Sequence, residues 1–174
     1  MILLIAYGNP LRQDDGAGLW LAERMAGRWQ AMGAPLRHVA VHQLTPELAL
    51  EIAEPGVKAA VFVDTRATTE SAGPVEINLL APPDAATPSM GHHLQPEVLL
   101  AYAALLLDGR PAPPTWLVTA PGVTFGHGEG LSQTVSAAVE AAFVEDNHPL
   151  LQLMDDLIPL VCLPENQLGM LHAG

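Results

Sequence analysis

Apolar residues along the chain form short strand-like runs that are separated by stretches with helical spacing. The predicted strands lie at 2–6, 36–41, 57–63, 74–80 and 115–119. The predicted helices cover 19–29, a short segment that begins at Thr45 with Pro46 in the first helical position, 96–107 and 132–144. Because strands and helices alternate, we expect a three-layer α/β/α sandwich with a twisted, mostly parallel five-stranded sheet, in which strand 74–80 lies at an edge.

The organisation of the chain is that of one unit followed by an extension. Residues 1–147 show no repeat and no interdomain linker, so we expect a single α/β domain there. Residues 148–174 are a C-terminal extension for which two alternatives stay open, a helix packed on the sandwich or a loosely ordered tail. Pro159 is expected to end any helix in this extension.

Charge and cysteine content narrow the classes of function. The formal net charge is −12, with seven basic residues of which none follows Arg110. This argues against a nucleic-acid partner, because neutralising phosphates requires clustered Lys and Arg. The one cysteine, Cys162, has no partner for an internal disulfide, and no apolar run is long enough to cross a membrane. We expect a soluble, cytoplasmic protein with no membrane contact, and a monomer, because no self-association pattern occurs.

Residues with useful chemistry follow three of the predicted strands. Asp14 and Asp15 follow the first strand, Asp64 ends the third, and His92 or His93 follows the fourth. Ligands bind at the carboxyl ends of the strands in open α/β sheets, and these loops are expected to meet at that edge. Two carboxylates and an imidazole would suit nickel, zinc or another borderline cation.

Each of these residues also has a structural explanation. Asp14 or Asp15 can cap the helix that follows, and an Asp at the end of a strand is often a turn residue. Motifs of other enzyme classes are missing: the chain has no dinucleotide-binding glycine pattern, no P-loop lysine, no serine nucleophile elbow and no HExxH zinc motif.

Four sequence segments together resemble the hydrogenase maturation proteases, over roughly residues 1–145. They are GNPLRQDDGAG at 8–18, Val63-Asp64, His92-His93-Leu94 before a helix, and the glycine-rich GHGEGLS at 126–132. The resemblance implies a phosphorylase/hydrolase-like sandwich that carries a peptide hydrolase of aspartyl or metal-dependent type.

The resemblance also implies roles for individual residues. Asp15, Asp64 and His92 match the metal-ligand and catalytic positions of the family, and His93 is the second choice for the histidine. Asp14 becomes a cap or an acid that supports the ligands. Many members have an Asp-Gly-Gly-like turn after the second strand, where this chain has the uncharged Gln43 as a candidate substrate contact.

The function implied is an endopeptidase that removes the C-terminal extension of a [NiFe]-hydrogenase large-subunit precursor after nickel insertion. The precursor supplies the nickel, and no permanent cofactor is expected. Whether the ion or a carboxylate such as Asp15 activates the attacking water stays open. Two alternatives remain: a non-catalytic nickel-checkpoint protein that docks on the same precursor, and an unrelated α/β domain whose acids are only caps.

Overall fold

The computed structural model describes residues 1–69, 72–81, 94–144 and 148–162 of the 174 residues. The strands are β1 Ile2–Tyr7, β2 Leu36–Val41, β3 Ala59–Ala67, β4 Glu76–Leu80 and β5 Thr115–Gly122. The helices are α1 Ala17–Ala31, α2 Leu48–Ile52, α3 Pro96–Leu106, α4 Gln133–Val144 and α5 Pro149–Cys162. A 3₁₀ turn, Gln13–Gly16, precedes α1. None of the described helices is long and apolar enough to cross a membrane.

The described strands form one sheet in the order β2-β1-β3-β5-β4. Four of them are parallel, and β4 pairs with β5 in the antiparallel direction at the edge of the sheet. Strand β1 and the first five residues of β3 are buried on both faces, as their apolar sequences require. The predicted mostly parallel five-stranded sheet, with strand 74–80 at an edge, is confirmed.

Helices cover both faces of this sheet. Side chains that alternate along β1 pack to opposite sides, so that Leu4 belongs to the core under α1, α4 and α5 and Leu3 belongs to the core under α2 and α3. The two cores make the sandwich three-layered, as predicted. Helix α2 begins at Leu48 and not at Pro46, because Thr45 opens a turn whose carbonyl accepts the Leu48 amide at 3.1 Å.

The C-terminal extension contributes a packed helix. On α5, Leu150, Met154 and Leu157 are buried at helical spacing, and the Trp29 indole donates a hydrogen bond to the Met154 carbonyl at 3.1 Å. Of the two alternatives, the described part is therefore the packed helix. The prediction that Pro159 ends it was wrong, because α5 continues to Cys162. A proline this near the end of a helix removes a single backbone donor, and Pro159 is exposed.

Strand β4 ends far from Asp64, because it runs antiparallel to β5. Leu80, the last residue of β4, pairs with Thr115 at the start of β5, whereas Asp64 pairs with Thr119 near the other end. The chain therefore leaves β4 at the end of the sheet opposite to Asp64. The prediction that the loop after the fourth strand begins beside the acids was wrong. The chain is back at the acidic edge by Leu94, just before α3.

Gly18 lets α1 lie against the end of β3. A Cβ at this position would come within 2.7–2.9 Å of the backbone of Asp64. We expect Gly18→Ala to lower the free energy of unfolding by about 1–3 kcal/mol, the usual effect of overpacking. Gly27 in the same helix is the matched control, since nothing lies within 4 Å of its added Cβ. Gly27→Ala should stabilise the protein by about 0.5–1 kcal/mol through helix propensity. Urea unfolding of both variants tests this, and equal stabilities would contradict it.

Candidate functional site

A cavity of about 660 Å³ lies at the carboxyl edge of the sheet, over the face that α2 and α3 cover. The ends of β1 and β3, the segment after β2 and the start of α3 form its walls. Its lining residues are Tyr7, Gly8, Asn9, Arg12, Asp15, His42, Gln43, Leu44, Asp64, Thr65, Leu94, Gln95, Pro96, Glu97 and Leu117. Asp15, Asp64 and Gln43, three of the residues predicted from the sequence, thus lie in one cavity.

Asp15 stands in the 3₁₀ turn after β1 and is half-buried. Its Oδ2 accepts the Asn9 amide at 3.2 Å. This is the one hydrogen bond to its carboxylate within the described part of the chain. A carboxylate held by one long hydrogen bond keeps lone pairs for a ligand or a proton.

Asp64 ends the buried part of β3 and is held more firmly. The Thr65 amide donates to Asp64 Oδ1 at 2.7 Å, and Tyr7 lines the same cavity. Burial raises the pKa of Asp64, and the negative charge of Asp15 adds to the rise. The Thr65 amide and the polar hydroxyl of Tyr7 oppose this rise in the pKa of Asp64 without cancelling it.

The Thr65 hydroxyl joins the two acidic segments. It accepts the Gly18 amide at 2.9 Å and donates to the Asp15 carbonyl at 3.3 Å. The strand end that carries Asp64 and the turn that carries Asp15 are therefore tied through one side chain. This tie, together with the close approach at Gly18, fixes the spacing of the two carboxylates.

Asp14, the other acid of the pair, points away from the cavity and is fully buried. Its carboxylate accepts five hydrogen bonds, from the Val123 amide and from the amides and hydroxyls of Thr124 and Ser132, at 2.6–3.1 Å. Burial alone would raise the pKa of Asp14, but these hydrogen bonds outweigh it and lower the pKa.

The prediction that Asp14 caps the helix directly after it was wrong. Neither the 3₁₀ turn nor α1 receives a side-chain cap. Asp14 instead holds Ser132, whose own hydroxyl accepts the Val135 amide at 3.4 Å at the start of α4. The acid thus supports a helix that begins more than a hundred residues later in the chain, a partner that local sequence patterns do not identify.

Backbone hydrogen bonds add to this junction between the first loop, residues 8–16 after β1, and the late loop, residues 123–132 between β5 and α4. The Gln13 amide donates to the Gly128 carbonyl at 2.9 Å, and the Gly128 amide donates to the Leu11 carbonyl at 3.0 Å. Gln13 adopts a positive φ of 50°, which is uncommon for a residue other than glycine. The segments 8–18 and 126–132, the first and last of the four that resemble the family, are therefore joined by hydrogen bonds next to Asp15.

Several lining residues were not identified from the sequence. Tyr7, Thr65, His42 and Glu97 all face the cavity. Tyr7 carried a usable signal, since it is the last residue of β1 and strand alternation places it on the same face as Leu3 and Ile5. The position of Glu97 depends on where α3 begins in space.

The described residues supply only part of a set of metal ligands. Within this part of the chain no three His, Cys, Asp or Glu side chains form a metal-binding group. Asp15 and Asp64 supply carboxylate oxygens to one cavity, which suits a cation that shares its ligands with another molecule. His92 and His93 lie outside the described residues, as does 163–174 of the extension.

Comparison with known proteins relates this architecture to one group of enzymes. No protein-family model and no curated protein sequence matches the chain. Among solved structures, the chain is similar to the maturating endopeptidase HybD from E. coli, with a TM-score of 0.57, 20% identity and coverage of 90% of this chain and 91% of that one.

Two archaeal structures are similar as well. The [NiFe] hydrogenase maturation protease HycI from Thermococcus kodakarensis has a TM-score of 0.55 at 17% identity, covering 91% of this chain and 90% of that one. The hydrogenase 2 maturation peptidase of a Thaumarchaeota archaeon has a TM-score of 0.52 at 18% identity, covering 90% and 97%. At these identities the similarity concerns the fold. The chain therefore shares the fold of the hydrogenase maturation proteases, and the resemblance stated from its sequence motifs is confirmed at that level.

Proposed function

We propose that this protein is an endopeptidase that removes the C-terminal extension of a [NiFe]-hydrogenase large-subunit precursor after nickel insertion. The observation that carries the proposal is that Asp15 and Asp64 line one cavity at the carboxyl edge of the sheet, in the fold of the hydrogenase maturation proteases. The protein would act in the cytoplasm as a monomer and without a permanent cofactor. Nickel enters with the substrate.

The proposal assigns distinct tasks to the residues of the cavity. Asp15 and Asp64 supply oxygen ligands to the nickel of the precursor, and His92 completes the set, with His93 as the second choice. The ion brings positive charge to the scissile peptide and can polarise its carbonyl. Asp15, whose carboxylate accepts a single hydrogen bond from the described residues, is the better placed of the two acids to accept a proton from water. Gln43 lines the cavity as a substrate contact.

The test is the intact mass of nickel-loaded and nickel-free precursor subunits after incubation with the protein. We expect loss of a C-terminal peptide only from the nickel-loaded precursor. Asp15→Asn should abolish the cleavage and leave the fold intact, since among the described residues its carboxylate accepts one hydrogen bond, at 3.2 Å, and loss of its charge removes a repulsion with Asp64. Full activity of this variant would contradict the ligand assignment.

Two other outcomes separate the alternatives. Nickel-dependent complex formation without shortening of the precursor would favour the non-catalytic checkpoint protein. If Asp15→Asn alters stability slightly and the wild-type protein neither cleaves nor binds any candidate precursor, the acids are structural and the proposal is wrong. Candidate precursors should cover several hydrogenases, since the uncharged Gln43 leaves the particular partner open.

A further inference from the structure

A second hollow, which we call the α1 groove, lies beside the cavity that holds Asp15 and Asp64. Its volume is about 360 Å³. Four apolar side chains from the first loop, from α1 and from the late loop line it: Pro10, Leu19, Trp20 and Leu131. Leu19, Trp20 and Leu131 are only partly buried on the core under α1, α4 and α5, so each keeps a surface for a partner.

A narrow passage of about 150 Å³ lies between the α1 groove and the cavity. The passage shares Gly8 and His42 with the lining of the cavity, and it shares Pro10 and Leu19 with the lining of the α1 groove. It runs over the carboxyl ends of β1 and β2, the strands that Gly8 and His42 follow. The three hollows therefore form one continuous path that leads away from the acids.

The walls of the α1 groove are held in place by the fold. Leu131 is followed by Ser132, whose amide donates to the buried carboxylate of Asp14 at 2.6 Å. Gly16 lets the first loop fold back on the start of α1, since a Cβ at this position would come within 3.0 Å of Pro10 Cα. A groove whose shape is already fixed loses little conformational entropy when a ligand binds, which favours its occupation.

We propose that the α1 groove binds the C-terminal extension of the precursor as an extended segment with apolar side chains, while the scissile peptide bond lies at Asp15 and Asp64. This inference rests on the proposed function, because that function makes the cavity the place of cleavage. A passage of about 150 Å³ accepts an extended strand but no folded domain, so the occupant is the extension and not the body of the large subunit.

The lining of the α1 groove also defines the chemistry of this segment. Binding comes mainly from the burial of apolar surface, so apolar side chains are favoured in the extension. Among the described residues of the lining, Glu23 is the only charged one, and it repels an acidic residue at this place. We therefore expect the extension to contain apolar residues near the cleavage site and to lack acidic residues there.

The first test is the binding of synthetic peptides that have the sequences of the extensions of candidate precursors. Trp20 reports occupation directly, because a peptide that covers its indole should shift the fluorescence emission to shorter wavelength. Trp29 is fully buried, so we expect Trp20→Phe to lose this change. A peptide whose apolar residues are replaced by serine should bind the unaltered protein at least about tenfold more weakly. If no candidate extension binds, or if the serine peptide binds equally well, the proposal is wrong.

The second test removes an apolar side chain from the wall of the α1 groove. We expect Leu131→Ser to weaken peptide binding by about tenfold and to raise KM for the nickel-loaded precursor by a similar factor. The kcat should stay within about twofold, because the contact is the same in the ground state and the transition state. Leu79→Ser on β4 is the matched control, since Leu79 is exposed and lies outside all three hollows, and it should match the wild type. Urea unfolding checks that both variants fold.

The outcomes separate this inference from the proposed function. Cleavage by the wild-type protein with an unchanged KM in Leu131→Ser would overturn the role of the α1 groove and leave the proposed function standing. Peptide binding with the change in Trp20 emission, but no cleavage of any nickel-loaded precursor, would contradict the proposed function alone. A Trp20 emission that shifts with protein concentration in the absence of peptide, together with dimers in sedimentation, would place a second copy of the chain in the groove and overturn the proposal.

Discussion

Asp14→Ala is expected to destabilise the protein strongly. The side chain is fully buried and accepts five hydrogen bonds, three of them from backbone amides of the late loop. A hydrogen bond to a charged group contributes about 1.5–3 kcal/mol, and bonds that share one acceptor are not additive. We therefore expect the free energy of unfolding to fall by about 3–5 kcal/mol, a large share of the total for a domain of this size.

The neighbouring acid supplies the control for this prediction. Asp14→Asn keeps the shape of the side chain but places an amide against donors, so it should also lose several kcal/mol. Asp15→Asn changes the same chemical group one position later, where the Asn9 amide is the one donor among the residues that the structure describes. Chemical denaturation of the three variants should give Asp15→Asn nearly wild-type stability. Similar losses for Asp14→Asn and Asp15→Asn would contradict the role assigned to Asp14.

The stability supplied by Asp14 should depend on pH in a defined direction. Its pKa in the folded protein lies below the ordinary value of 3.8. The unfolded chain therefore takes up a proton more readily, and the stabilisation is complete above the ordinary pKa. It is lost as the pH falls through the lowered pKa of the folded state. The difference in stability between the wild-type protein and Asp14→Asn should shrink below about pH 4.

Asp64→Asn is expected to abolish processing while leaving the protein at least as stable as the wild type. Under the proposed function it removes a charged ligand, so the loss should exceed about 100-fold, the upper range for residues that only orient a ligand. The fold should tolerate the change, because the amide oxygen of asparagine can still accept the Thr65 amide. Precursor cleavage and urea unfolding measure the two effects separately. Asp156→Asn on the exposed face of α5 is the control for the change in charge.

The sign of the stability effect follows from the raised pKa of Asp64. The folded protein binds this proton more strongly than the unfolded chain, so the contribution to stability is present at low pH and is lost as the pH rises through the pKa of the folded state. At neutral pH the buried charge is a cost, which asparagine removes. Wild-type protein and Asp64→Asn should therefore differ least in acid and most near pH 7. A variant that is clearly less stable at pH 7 would mean that the groups favouring the charged carboxylate of Asp64 outweigh the cost of its burial.

The two variants are expected to have opposite effects on stability, because Asp14 and Asp64 have different roles. Asp14 stabilises the fold and joins the first loop to the late loop, whereas Asp64 is kept at the cavity at some expense of stability. A stabilising acid that faces protein donors and a destabilising acid that faces a cavity are the pattern expected of a functional site.

The sequence by itself determined the order of the elements and the edges at which chemistry could occur. Continuous apolar runs at 2–6 and 59–63 indicated buried strands of a parallel sheet, because only strands buried on both faces need apolar residues at every position. The acids that follow them were identified for the same local reason, since a strand must end where polar residues begin. Asp15 and Asp64 could thus be predicted to share an edge, and they line one cavity.

Tertiary structure alone decided which partner each side chain has. Asp14 and Asp15 are adjacent and chemically identical, yet one meets five donors from the late loop and the other faces the cavity. Local sequence does not distinguish the two acids, because the donors that bind Asp14 lie more than a hundred residues later in the chain. The antiparallel direction of β4 and the continuation of α5 past Pro159 were likewise decided by pairing and packing between distant segments.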